Sequence, residues 1–155
     1  MKYPMTPSGY EKLKLELREC RAERPRLSLV IEEARAHGDI SENAEFNAAK
    51  EKQGFLEGRI RDLEAKIGQA EVIDPSKLKG DRVVFGANVT LADIETEEAV
   101  AYTIVGDDES DVKQGRISIS SPVARALIGH TVGDEVKVKV PGGLRTFEVI
   151  DVSFG

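Results

Sequence analysis

The sequence predicts an α+β protein in two parts. Residues 1–75 read as an antiparallel two-helix coiled-coil hairpin, and residues 76–155 as a small, mostly antiparallel sheet domain with one short helix. Three observations carry this. Two apolar stripes follow heptad spacing, a short Gly-containing segment separates them, and beyond Asp74-Pro75-Ser76 the apolar period shortens to two.

The first stripe is Leu13, Leu17, Cys20, Arg24, Leu27, Ile31 and Ala34. Its steps alternate four and three, as a helix seam requires, and only Arg24 departs. Thr6-Pro7-Ser8 supplies an N-cap threonine followed by proline at the first helical position. Pro25 removes a backbone donor and predicts a kink rather than a break, because the stripe runs through it in register. Arg24 is then expected to snorkel out of the seam. The second stripe is Phe46, Ala49, Gln53, Leu56, Ile60, Leu63, Ile67 and Ala70. Between the stripes lies His37-Gly38-Asp39-Ile40-Ser41-Glu42-Asn43. Gly38 suits a helix end, and Asp39 or Ser41 suits the next N-cap. So short a connection makes the helices antiparallel neighbours. Two helices of about 30 residues give a rod of ~45 Å, with residues 38–43 at its far end.

In the second part, 82–91 and 99–105 read as strands, with Gly86 as a bulge in the first. Residues 116–120 alternate. Ser121-Pro122 then starts a short helix that ends before Gly129. Residues 135–140 and 146–152 alternate on either side of Pro141-Gly142-Gly143, a hairpin turn.

Composition narrows the function classes. Aromatic residues are 5% with no Trp, which excludes one large aromatic core and suits a helical seam of Leu, Ile and Ala. Net charge is −6; residues 1–75 hold 13 Lys+Arg against 15 Asp+Glu, and the remainder 9 against 13. Neither part is a basic nucleic-acid clamp, so any nucleic-acid contact is local or made through a partner protein. Cys20, the single cysteine, excludes an internal disulfide and a thiolate metal site, and reads as a buried small hydrophobe. No apolar run reaches the ~20 residues of a membrane span, and the first residues lack a signal-peptide core. The expectation is a soluble, cytoplasmic protein.

Few residues suggest chemistry. His130 lacks a nucleophile partner and reads as a surface-turn residue, and Asp107-Asp108-Glu109-x-Asp111 as a solvated acidic turn rather than a calcium loop. At the hairpin connection, Asp39 and Glu42 stand three apart where a helix begins. Their spacing fits a capping box. Spacing alone favours that reading. The alternative is two hard carboxylate donors to Mg²⁺, which wants six ligands, so the pair would be half a site completed elsewhere. Arg35 and Lys50 flank the connection, either as ordinary surface charge or as a basic patch for an RNA phosphate.

The run from Glu33 to Lys50, with Gln53-Gly-Phe and Gly58-Arg-Ile after it, closely resembles the tip signature of the bacterial GreA/GreB transcript-cleavage factors, in their GreA form. The match continues in Val-Phe-Gly-Ala at 84–87, Ile-Val-Gly-Asp-Asp at 104–108, Ser-Pro-Val-Ala-Arg-Ala-Leu-Ile-Gly at 121–129 and Pro-Gly-Gly at 141–143. The resemblance implies a coiled-coil hairpin joined to a globular domain similar to FK506-binding proteins. That domain would dock on RNA polymerase, through Ile119, Ser121 and Pro122, at the rim of the secondary channel. The hairpin would enter the channel, and the factor would bind as a monomer. Asp39 and Glu42 would help the polymerase hold a catalytic Mg²⁺ while the polymerase cleaves backtracked nascent RNA. Arg35 and Lys50 would contact the RNA 3′ segment. The factor would stimulate the polymerase's nuclease without being an enzyme itself. The minimal basic spot implies cleavage products of two or three nucleotides. Two alternatives are a channel-binding inhibitor, disfavoured by a tip with only two acids, and a prolyl isomerase, disfavoured by the scarcity of aromatics for a pocket.

Overall fold

The computed structural model describes residues 2–36 and 44–155. The chain divides into two compact units, Glu11–Gln69 and a second formed by Met1–Tyr10 with Ala70–Gly155. The sequence-based division at residue 75 differs because a two-stranded parallel ladder ties both ends of the helical segment to the second unit. In it β1 (Tyr3–Met5) pairs with β2 (Ala70–Val72) in the register Tyr3↔Ala70 to Met5↔Val72. Ala70, which continues the apolar stripe, is therefore strand and not helix.

The helical unit follows its sequence pattern. Helix α1 spans Pro7–Ala36 and runs unbroken through Pro25. Helix α2 spans Ala44–Gly68. Leu13, Leu17, Ile31 and Ala34 are buried on α1, and Ala49, Ile60 and Leu63 on α2. Every remaining stripe position except Arg24 is at least half-buried. Cys20 is half-buried, not fully so.

Cross-helix ion pairs fix the antiparallel sense. Arg59 donates through Nε and Nη2 to both Glu16 oxygens (2.6 and 2.9 Å). Arg24 leaves the seam, as its position predicts, and forks onto Glu57 (Nε to Oε1 and Nη2 to Oε2, both 2.8 Å). Arg21 lies 3.8 Å from Glu64. Each pair joins residues at roughly equal distance from the 37–43 connection, as helices that double back must. Exposed pairs add little stability; their use here is to select register, with the buried seam supplying the burial energy.

Strands β3 (Asn88–Asp93), β4 (Ala99–Val105), β5 (Arg116–Ser118), β6 (Glu135–Val140) and β7 (Gly143–Ser153) form one sheet in the order β5-β4-β3-β7-β6. All its ladders are antiparallel except β4–β5. The first predicted strand begins late. Gly86 is not a bulge; it sits in a turn at φ 87°, where an added Cβ would lie 2.9 Å from Pro75 Cγ. The bulge lies instead where the β3–β7 register slips between Thr90 and Leu91. One extra β7 residue there turns Ile150 outward and brings Val152 into the core beside Phe147 and Val149. Helix α3 (Pro122–Leu127) buries Ala124 and Leu127 in the same core. Tyr102 and Phe154 pack against that core too, so three of this domain's four aromatics fill it instead of lining an isomerase pocket.

Within the acidic turn, Glu109 departs from the solvated reading. Glu109 accepts from the Thr6 backbone N–H (3.0 Å), the Thr6 hydroxyl and the Gly106 N–H (3.2 Å). Thr6 is the N-cap of α1, and its Oγ1 accepts from Gly9 N at 3.1 Å. A local capping box would place a glutamate at residue 9 to reach back to Thr6 N–H. Here residue 9 is glycine, and a Cβ there would lie 2.5 Å from Glu109 Cδ. The capping box is thus completed by a residue one hundred positions away.

Candidate functional site

Two regions hold the predicted site residues, one in each unit. Asp39 and Glu42 lie outside the described residues. The helix ends that bracket them are described. Arg35 is in the last turn of α1, where a cation also suits the negative helix terminus. It is exposed, and its guanidinium carbon lies 5.9 Å from the Phe46 ring centroid on α2, a cation–π contact across the hairpin. Lys50, one turn further along α2, is exposed and donates to Gln53 Oε1 at 3.2 Å. Arg35 and Lys50 therefore stand on opposite helices at the same end of the hairpin. Phe46 belongs to this end; its place in the heptad stripe signalled only packing.

As a donor set, Asp39 and Glu42 suit Mg²⁺ by chemistry, being hard oxygen ligands, but two carboxylates leave most of its six positions unfilled. Among the described residues no group of three or more His, Cys, Asp or Glu side chains could hold a metal ion.

In the second unit, Ile119, Ser121 and Pro122 form one short edge. The Ile119 side chain is half-buried against the core, and its N–H donates to Val105 O at 2.8 Å. Ser121 caps α3, accepting from Ala124 N at 3.3 Å, and Pro122 occupies the first helical turn, exposed. Sequence reasoning missed Asp107, whose Oδ1 accepts from the hydroxyls of Ser118 and Ser120 on either side of Ile119. Only the fold brings these residues together, so no local pattern signals them.

The Ser118 hydroxyl, then that of Ser120, holds the Asp107 carboxyl below its ordinary value of 3.8. A depressed carboxyl contributes stability above its unfolded value, and loses it as pH falls through the folded one. Thermal unfolding of Asp107→Ala should therefore show a small deficit against wild type at pH 7 that shrinks toward pH 3. His130 is the turn residue expected, its Nδ1 3.1 Å from Asp134 Oδ2. Asp134 also accepts from Thr131 N–H, and that bond, then the His130 imidazole, holds its carboxyl below the ordinary value.

No helix among the described residues is long and apolar enough to cross a membrane. Residues 77–154 match the C-terminal domain of the transcription elongation factor GreA/GreB family, and residues 3–72 match the transcription elongation factor N-terminal domain. The transcription elongation factors GreA of Brucella canis, Brucella suis and Brucella melitensis are each 61% identical over 154 residues, covering 99% of this chain and 98% of theirs. Among solved structures, GreA factor homolog 1 of Thermus thermophilus aligns over 98% of this chain and 99% of its own, at 28% identity and a TM-score of 0.46.

Proposed function

Because the chain belongs to the GreA/GreB family of transcription elongation factors, we propose that it acts by carrying Asp39 and Glu42 into the RNA polymerase secondary channel. There it stimulates the polymerase's own endonucleolytic cleavage of backtracked RNA. The supporting observation is the end of the hairpin. Two helices in one antiparallel register bracket a connection with two carboxylates, and exposed Arg35 and Lys50 flank it. The factor is the positioning part and the polymerase the catalyst.

Each group has a role that its chemistry supports. Asp39 and Glu42 would lend oxygen ligands to a Mg²⁺ site completed by polymerase carboxylates and orient a water toward the scissile phosphate. Bound Mg²⁺ supplies Lewis-acid stabilisation of the attacking and leaving oxygens. Arg35 and Lys50 would hold the RNA backbone by charge, without reading sequence. The Phe46 ring, 5.9 Å from the Arg35 guanidinium carbon, gives that cation an attractive partner beside the connection. Ile119, Ser121 and Pro122 would seat the second unit on the polymerase. Helix α1, at 30 residues, is itself ~45 Å long.

The test is stalled, backtracked elongation complexes incubated with wild type or Asp39→Ala, with product lengths resolved. Wild type should release fragments of two or three nucleotides, and Asp39→Ala should lower the rate at least about a hundred-fold if the carboxylate is needed in the transition state. Equal cleavage by both proteins would refute the role of Asp39. Wild type that binds without raising cleavage would make the protein a channel competitor.

A further inference from the structure

The 118–121 turn is held by more than its backbone. Ser121 N donates to Ser118 O at 2.9 Å, and Ser120 N to Ser118 Oγ at 3.1 Å. The two hydroxyls lie 2.9 Å apart, and both reach the same Asp107 oxygen, Ser120 at 2.6 Å. One carboxylate thus fixes the residues on both sides of Ile119 and the approach to Pro122. Asp107 is itself exposed, and Ser118 and Ser120 line the surface, so the cluster buries little. Exposed charged contacts of this kind contribute little to global stability. What this one does is remove conformational freedom from an exposed turn.

We propose that Asp107 is a positioning residue for polymerase binding, presenting Ile119 and Pro122 in a single, preorganised backbone geometry. This rests on the docking edge proposed above. Its physical basis is that a turn ordered before association does not lose that freedom on binding. Asp107 does not touch the polymerase; it acts through the serines. Neighbouring contacts anchor the acid in turn. The Tyr3 hydroxyl donates to Asp108 Oδ2 at 3.1 Å, and Glu109 holds Thr6, so the turn bearing Asp107 is fixed against the first strand.

The experiment titrates labelled full-length factor against core RNA polymerase and, in parallel, against stalled elongation complexes. It reads the binding constant, the half-saturating concentration and the cleavage rate at saturation. Asp107→Ala should weaken binding and raise half-saturation about ten-fold, the size expected for losing hydrogen bonds to a charged group. The saturated rate should stay unchanged. Ser118→Ala with Ser120→Ala should reproduce the effect, and adding Asp107→Ala to that pair should change nothing more. Wild-type affinity in Asp107→Ala, while Ile119→Ala binds weakly, would overturn the inference and leave the docking edge standing. Wild-type affinity in Ile119→Ala would remove the docking edge and the inference with it. A saturated rate that falls in Asp107→Ala would also overturn it, since positioning for binding does not touch the chemical step. The cleavage reading is tested separately, by Asp39→Ala at saturation, where a difference in affinity no longer contributes to the rate.

Discussion

Leu63→Ala should destabilise the helical unit by about 2–5 kcal/mol, the cost of a cavity at a fully buried leucine. Leu63 and Ile60 have no exposed surface, and Leu13 and Leu17 are nearly as buried on the other helix. The Arg59–Glu16 pair, whose chain neighbours are Ile60 and Leu17, ties the helices together at this level. The middle of the seam is thin by comparison, since Arg24 is exposed and Leu27 only half-buried. Isolated helices are marginal in water, so this hairpin depends on its few buried layers. Urea unfolding followed by circular dichroism measures the effect. Leu29→Ala, at a position 60% exposed on α1, is the control and should shift stability by less than about 0.5 kcal/mol. A Leu63→Ala protein as stable as the control would show that burial at Leu63 does not hold the hairpin.

The second large effect concerns the divided capping box. Glu109→Ala removes the acceptor for Thr6 N–H, the Thr6 hydroxyl and Gly106 N–H together. It should cost about 1–3 kcal/mol, the price of leaving partly buried donors unsatisfied. Gly9→Glu separates this account from ordinary packing. In the wild type its Cβ would crowd the Glu109 carboxyl at 2.5 Å and should be unfavourable. In the Glu109→Ala background the space is open and the new glutamate can complete a local capping box, recovering about 0.5–2 kcal/mol. The predicted signature in thermal unfolding of the four proteins is therefore a change of sign. Gly9→Glu lowering stability in both backgrounds would reject it.

The helical half was legible because its signals are local. A heptad stripe needs only the spacing of Leu13, Leu17, Ile31 and Ala34 to be read, and the N-cap lies in the adjacent Thr6-Pro7. Strands β6 and β7 showed themselves by alternation. The candidate site was legible through one run of residues, Glu33 to Lys50, and its two carboxylates lie in a segment outside the described residues. Spacing by itself favoured a capping pair over a metal pair, since an acid at the N-cap with a glutamate three residues on satisfies local backbone donors; the longer run around them turned the reading toward metal. Nor could three-residue strands such as β1 and β2 be read, since they are too short to show a period.

The two helices, their antiparallel pairing and the class of the second domain are all set by residues close together in the chain, and could be read from it. That Tyr3–Met5 pairs with Ala70–Val72, that Glu109 caps a helix beginning at residue 7, and that Asp107 holds the serines around Ile119 came only with the folded chain. Those contacts join residues 11 to 103 positions apart. Their partners are ordinary serines, threonines and acids whose local surroundings predict nothing more than a turn. A hydrogen bond requires its two groups within about 3 Å, and that proximity is a product of the whole fold.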